Sequence, residues 1–231
     1  GSVRLSVIIP ALNEEASIRR AVESAWLGGA GEVLVADGGS TDETLPIAAT
    51  LNCHVVSAPR GRASQQNAAA RKAAGDVLLF LHADCALASD IGAQIDRALA
   101  NSNVLHGAFR QRIEAPGLAY RWLEAGNAAR VRLFGLPYGD QAIFIRRRTF
   151  EELDGFPEEP FLEDLILMER LARRCRPVLL PGPVFVSPRR WLTSGVVRQT
   201  LRNWWIVARY RSGASPADLA RSYRGDDVEA K

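Results

Sequence analysis

Asp84 stands two residues after His82, just past the wholly apolar run Val77 to Leu81. A carboxylate beyond a buried strand is placed to hold Mg2+ or Mn2+, ions that take one or two carboxylates and complete their shell with substrate phosphates. Capping of a turn accounts equally for an isolated aspartate there, and His82 reads as a turn histidine or a ligand. Arg60-Gly61-Arg62, followed by Gln66 and Asn67 at a helix start, offers guanidinium forks and a positive helix end to a diphosphate. Solvated surface arginines are the alternative. Asp37 precedes Gly38-Gly39-Ser40; it can accept from the N–H of a base, or simply close a tight turn. Glu163-Asp164 precedes the helically spaced Leu165, Ile166, Met168 and Leu171. One of the two acids can act as general base on a hydroxyl within hydrogen-bond reach, or both can stabilise the helix start. Asp140-Gln141 and Arg189-Arg190-Trp191 are polar–aromatic groups of the kind that line sugar sites, although a tryptophan more commonly serves the core.

These groups need elements that bring them together. Leu5 to Ile9 reads as a buried strand ending at Pro10, Val33 to Ala36 as a second, Val55-Val56 as a third and Val77 to Leu81 as a fourth. Between them fall helical patterns: Ile18, Val22, Ala25 and Trp26; the stretch after the capping pair Ser40 and Glu43; and the Ala-rich run from Ala63 to Ala74. Alternation of this kind predicts βαβ units and a parallel sheet covered on both faces, with ligands bound beyond the carboxyl ends of the strands. The polar clusters fall at those ends. Further on, a strand is expected in 104–113, a helix in 118–130, a strand in 142–146, a helix in 165–174 and an amphipathic helix in 196–210. No internal repeat or linker divides the chain, so residues 3–231 are read as one domain.

The chain of 231 residues is 47% hydrophobic and 24% charged with a net charge of only +3, ordinary for a globular protein and too mild for a nucleic-acid reader. Cys53, Cys85 and Cys175 are odd in number and form no zinc pattern. No apolar run reaches the roughly 18 to 20 residues of a membrane span. A soluble protein of the reducing cytoplasm, at most peripheral at the inner membrane face, is therefore expected.

Taken in order, the clusters resemble the motif series of the family 2 glycosyltransferases with the GT-A fold. The resemblance starts at Ser6-Val7-Ile8-Ile9-Pro10-Ala11-Leu12-Asn13-Glu14. It continues through Val35-Ala36-Asp37-Gly38-Gly39-Ser40-Thr41-Asp42-Glu43-Thr44, Arg60-Gly61-Arg62, the turn ending in Asp84, Gly139-Asp140-Gln141 and Glu163-Asp164. It implies an α/β, Rossmann-like domain with a mostly parallel central sheet flanked by helices. Residues 3–100 would form the nucleotide-sugar-binding half, 101–195 the acceptor-side half and 196–231 a helical tail. By the same resemblance Pro10, Ala11, Glu14 and Asp37 hold a nucleoside, commonly uridine, with Asn13 and Gly38 in the same turns. Arg60, Arg62 and Gln66 approach the diphosphate of the donor. Asp84 ligates Mg2+ or Mn2+, and Asp164 deprotonates the acceptor hydroxyl with inversion at the sugar. Asp140, Gln141, Glu163, Arg190 and Trp191 line the acceptor side, where a small molecule or a lipid-linked hydroxyl would bind.

One position departs from the family pattern. The usual Asp-x-Asp is here His82-Ala83-Asp84, which resembles a small, soluble bacterial branch, as do Arg189-Arg190-Trp191 and Gly213-Ala214-Ser215-Pro216. His82 then contacts ribose or the metal. A dinucleotide oxidoreductase is excluded because Pro10-Ala11-Leu12-Asn13-Glu14 stands where Gly-x-Gly-x-x-Gly is required. A sugar-nucleotide pyrophosphorylase would carry a Gly-rich basic loop there. A non-catalytic nucleotide-sugar sensor remains the alternative. In the last helix Val197, Leu201, Trp204, Trp205 and Ala208 share one side; that side is expected to pack on the catalytic domain, with a membrane interface as the competing reading.

Overall fold

The first strand, β1 (Leu5–Ala11), is buried on both faces, and its alternation decides what lies above and below it. Val7 and Ile9 pack with Ile18, Ala21, Val22 and Ala25 of α1 (Ile18–Leu27). Ile8 points the other way, toward Ala63, Ala69 and Ala70 of α3 (Arg62–Lys72). Small alanines let α3 lie close on the sheet. β2 (Glu32–Asp37) divides identically: Val33 and Val35 to one core, Leu34 and Ala36 to the other. Strands buried on both faces have to be continuous apolar runs, which is why they are legible in the sequence.

The computed structural model describes residues 3–221, apart from the side chains of residues 190, 193, 194, 196, 197 and 199. With α2 (Thr44–Ala49), β3 (His54–Ser57) and β4 (Val77–Phe80), the first half forms the parallel array β3-β2-β1-β4. There follow β5 (Cys85–Leu87), α4 (Ile91–Leu99), β6 (His106–Ile113), α5 (Leu118–Phe134), β7 (Phe144–Arg146) and α6 (Arg147–Glu152). The chain continues through α7 (Glu163–Ala172), β8 (Val178–Val186), α8 (Arg189–Ser194) and α9 (Val196–Arg211). The sheet continues past β4 as β7-β6-β8-β5. β7 is antiparallel to β4 and β6, β6 and β8 are parallel, and β5 is antiparallel to β8. The strand expected in 142–146 starts only at Phe144, because Ala142 sits at φ 49. α5 runs on to Phe134 and stops at Gly135, whose φ of 66 ends the helix in the left-handed conformation.

The last helix contradicts the packing expected of it. Leu201, Trp204 and Trp205 face out, at 58%, 68% and 51% exposure, and Ala208 is exposed with them. Instead Ile206 is buried, and Val207 and Tyr210 pack on the core beneath α3 and α7. α9 is apolar on both sides, and periodicity alone did not say which side meets the domain. Among the described residues no helix is long and apolar enough to cross a membrane.

Candidate active site

A cavity of about 950 Å³ opens beyond the carboxyl ends of β1 and β4. Pro10, Ala11 and Glu14 line it from the loop after β1. That loop is strapped to the turn after β2: the Asn13 N–H donates to Ser40 Oγ at 3.0 Å and the Thr41 N–H to Asn13 Oδ1 at 2.8 Å. The Glu14 N–H donates to Thr44 Oγ1 at 2.8 Å. Asn13 thus holds the loop and is not part of the cavity lining. Asp37 is buried, its carboxylate accepting from the N–H groups of Gly39 at 2.9 Å and Ser40 at 3.1 Å, and it too stands behind the lining.

Gln65, which sequence reasoning passed over for its neighbour Gln66, lines the cavity floor. Its amide donates to the carbonyls of Ala11 and Ala36, each at 2.8 Å, joining the ends of β1 and β2. Gly38 packs on that amide, and a Cβ at Gly38 would lie 2.8 Å from Gln65 Cδ. Gln66 is buried outside the lining. Adjacent residues on a helix point about 100° apart, so only the placed helix decides between two neighbouring glutamines.

Arg60 and Arg62 both line the cavity, and Arg62 Nη1 lies 3.3 Å from Glu163 Oε1. Burial pushes the Glu163 carboxyl above its ordinary range; Arg62 opposes the shift and Asp164 adds to it. His82, Ala83 and Asp84 also line the wall. Arg189, singled out in sequence only as part of Arg189-Arg190-Trp191, lies with Nη2 3.1 Å from Glu14 Oε1 and 3.6 Å from Asp84 Oδ2. Three arginines from two segments therefore face one cavity, a concentration of positive charge suited to phosphate oxygens.

Asp164 sits at the start of α7 with both oxygens held by main chain. Oδ2 accepts from the Gly139 N–H at 2.7 Å and Oδ1 from the Leu165 N–H at 2.8 Å. Glycine at 139 leaves room for both neighbours: a Cβ would come within 2.7 Å of His82 Nε2 and 3.1 Å of Asp164 Oδ2, so a side chain there displaces one of them. Asp140 reaches the lining, whereas Gln141 is wholly buried beneath it. Gln141 Oε1 accepts from Arg130 Nη2 at 2.7 Å and the Tyr138 N–H at 3.1 Å, and the Arg130 guanidinium stacks 3.6 Å from the Tyr138 ring. Pro160, Phe161 and Leu162 complete this side, with Asn203, Ile206 and Val207 of α9.

Trp191 does not line the cavity. It is 5% exposed, packs edge-on against Tyr120 at 6.2 Å and belongs to the core. The Arg190 side chain lies outside the described residues.

Among the described residues no group of three or more His, Cys, Asp or Glu side chains could cage a metal. Asp84 supplies one hard carboxylate donor group in a cavity also lined by Arg60, Arg62 and Arg189. That set fits Mg2+ or Mn2+ completed by donor phosphates and water, and does not fit a self-sufficient protein site.

Residues 6–154 match the family model described as "Glycosyl transferase family 2". The chain belongs to glycosyl transferase family 2. Asp164 and α9 lie beyond the matched segment. No curated protein matches the sequence. Among solved structures, the fold is similar to the mannosyltransferase PcManGT of Pyrobaculum calidifontis in complex with GDP-Man and Mn2+. That match has a TM-score of 0.69 and 19% identity, over 96% of this chain and 69% of that one. It is also similar to residues 1–349 of S. aureus TarS with UDP-GlcNAc, with a TM-score of 0.63 and 19% identity over 80% of this chain. A third is glucosyl-3-phosphoglycerate synthase of Mycobacterium tuberculosis with Mn2+, UDP and glucosyl-3-phosphoglycerate, with a TM-score of 0.53 and 21% identity. That match covers 87% of this chain and 78% of that one. The family 2 chain spans 58% of that TarS fragment and 41% of the longer TarS structure. At these identities the likeness is one of fold: a mixed α/β GT-A-type sheet flanked by helices.

Proposed function

We propose that this protein moves a sugar from a nucleoside-diphosphate sugar, with UDP as the leaving group, to an acceptor hydroxyl by a single inverting displacement. The observation that carries the proposal is the opening of Asp84, Arg60, Arg62 and Asp164 onto one cavity. Family membership and the nucleotide-sugars bound by PcManGT and TarS support a nucleoside-diphosphate sugar donor, and the UDP-GlcNAc of TarS supports uridine as its base.

In this reading Pro10, Ala11 and Glu14 receive the nucleoside over the Gln65 floor. Arg60, Arg62 and Arg189 hold the diphosphate and stabilise the charge that grows on it as the glycosidic bond breaks. Asp84 would hold a Mg2+ or Mn2+ ion, which when bound supplies further positive charge to the leaving group. Asp164 accepts the acceptor's proton. The two N–H groups on its carboxylate keep it aimed without adding a competing side chain, and a base must be held within hydrogen-bond reach of its proton. Asp140, Glu163 and the 160–162 loop border the acceptor.

Calorimetric titration with UDP, GDP and their sugars, with and without Mn2+ or Mg2+, tests the reading. The expected result is metal-dependent binding of one nucleoside diphosphate, lost in Asp84→Ala at an unchanged circular-dichroism spectrum. A folded protein that binds none of these with metal present would overturn it.

A further inference from the structure

Charge in this chain is segregated. α5, α8 and α9 together carry nine arginines and a single acidic residue, Glu124, in a chain whose net charge is only +3. The remainder is therefore net acidic. Glu124 is turned inward, accepting from the Ile113 N–H at 2.6 Å and pairing with Arg121 at 2.9 Å. Arg132, Arg198, Arg209 and Arg211 are exposed.

The same helices carry the largest exposed apolar side chains of the described residues. On α5, Leu118, Trp122, Ala125, Ala129 and Leu133 form one exposed stripe at helical spacing, with Leu118 77% and Trp122 76% exposed. On α9, Leu201, Trp204, Trp205 and Ala208 form another, and Arg209 lies 5.7 Å from the Trp205 ring. The helices are joined: Tyr120 of α5 packs on Trp191 of α8, whose neighbour Leu192 is exposed, and α8 leads into α9. Arg211 pairs with Glu169 of α7 at 3.6 Å, but the helices themselves bring no outward acid. Exposed tryptophan and leucine framed by arginine on such helices is the chemistry of a helix lying in an anionic lipid interface. A second copy would bring these arginines against their own kind.

We propose that the surface built by α5, α8 and α9 docks on an anionic lipid bilayer. α9 presents Asn203, Ile206 and Val207 to the cavity and its tryptophans to the opposite side. Docking thus leaves the cavity edge about one helix diameter, roughly 10 Å, from the headgroups. Resting on the transferase reading above, this makes the acceptor a lipid or lipid-linked hydroxyl.

The test is co-sedimentation of the whole protein with phosphatidylcholine vesicles, with and without phosphatidylglycerol, across a salt series. Binding only to the anionic vesicles, fading as salt rises, is expected. Arg198→Gln with Arg209→Gln should weaken it about thirtyfold, and Trp204→Ala with Trp205→Ala at least about tenfold, each with an unchanged melting temperature. No sedimentation with anionic vesicles, or sedimentation indifferent to salt and to both variants, overturns the proposal. So does a dimer in analytical ultracentrifugation that the tryptophan variant dissociates, since the face would then be a self-association surface. Vesicle binding needs no donor, so its failure leaves the transferase reading intact, and loss of donor binding would leave the docking result intact.

Discussion

The chemistry rests on side chains whose surroundings make opposite demands. Asp164 is held by two N–H donors, and Asp164→Asn keeps its shape while turning an NH2 donor toward one of them. Transfer should fall by about a hundredfold or more with donor affinity unchanged, read by steady-state transfer and calorimetry; undiminished turnover removes Asp164 as base. His106 is remote from the cavity but bears on acid stability. Burial lowers its imidazole from 6.5 to about 4, and its Nε2 has no hydrogen-bond partner. The unfolded chain therefore binds a proton that the fold refuses, and stability is lost as pH falls from about 6.5 toward about 4, by up to about 3 kcal/mol. Glu163 acts in the other sense: its raised carboxyl costs stability as pH climbs past the ordinary carboxylate range. Urea unfolding at pH 7 and pH 5 should show a smaller difference for His106→Gln than for the native chain. Equal differences would mean that His106 does not titrate on unfolding.

Among the elements, the short turn Gly139–Gln141 starts at a residue wedged between His82 and Asp164. Gly139→Ala drives a methyl into the His82 ring and the Asp164 carboxylate. It should abolish transfer with the melt nearly unchanged; an active Gly139→Ala protein would show that the two walls of the cavity can part. The elements also show what a sequence discloses. β1, β2 and β4 were legible because burial on both faces demands the runs at Leu5, Val33 and Val77. β8 was not, since Val178-Leu179-Leu180-Pro181-Gly182-Pro183 reads as a turn; the strand tolerates it through an irregularity in its pairing between Phe109 and Gln111 of β6. β5, of three residues, is too short to show any period. The motif turns at Arg60, Asp84 and Asp164 could be found because loops at strand ends carry chemistry. Gln65 could not, nor could the pairing of Arg189 with Glu14 and Asp84, because helix phase and long-range ion pairing are properties of the folded chain.

For the whole molecule, the donor and acceptor halves drawn from sequence share one sheet. β5, from the first half, pairs with β8, from the second, and β8 also pairs with β6. A chain cut after residue 154, where the family match ends, should therefore give no cooperative melt by circular dichroism. A sharp transition would mean that the first half folds alone. The cavity that the whole sheet supports differs in character from one side to the other. Under the side proposed for the donor, Gln65 pins two strand ends and the Asn13 loop is strapped to the turn after β2. A surface so pinned has little conformational freedom left to lose. On the proposed reading a nucleotide would meet a floor that is already ordered, and the entropy of ordering it would be charged to folding rather than to binding.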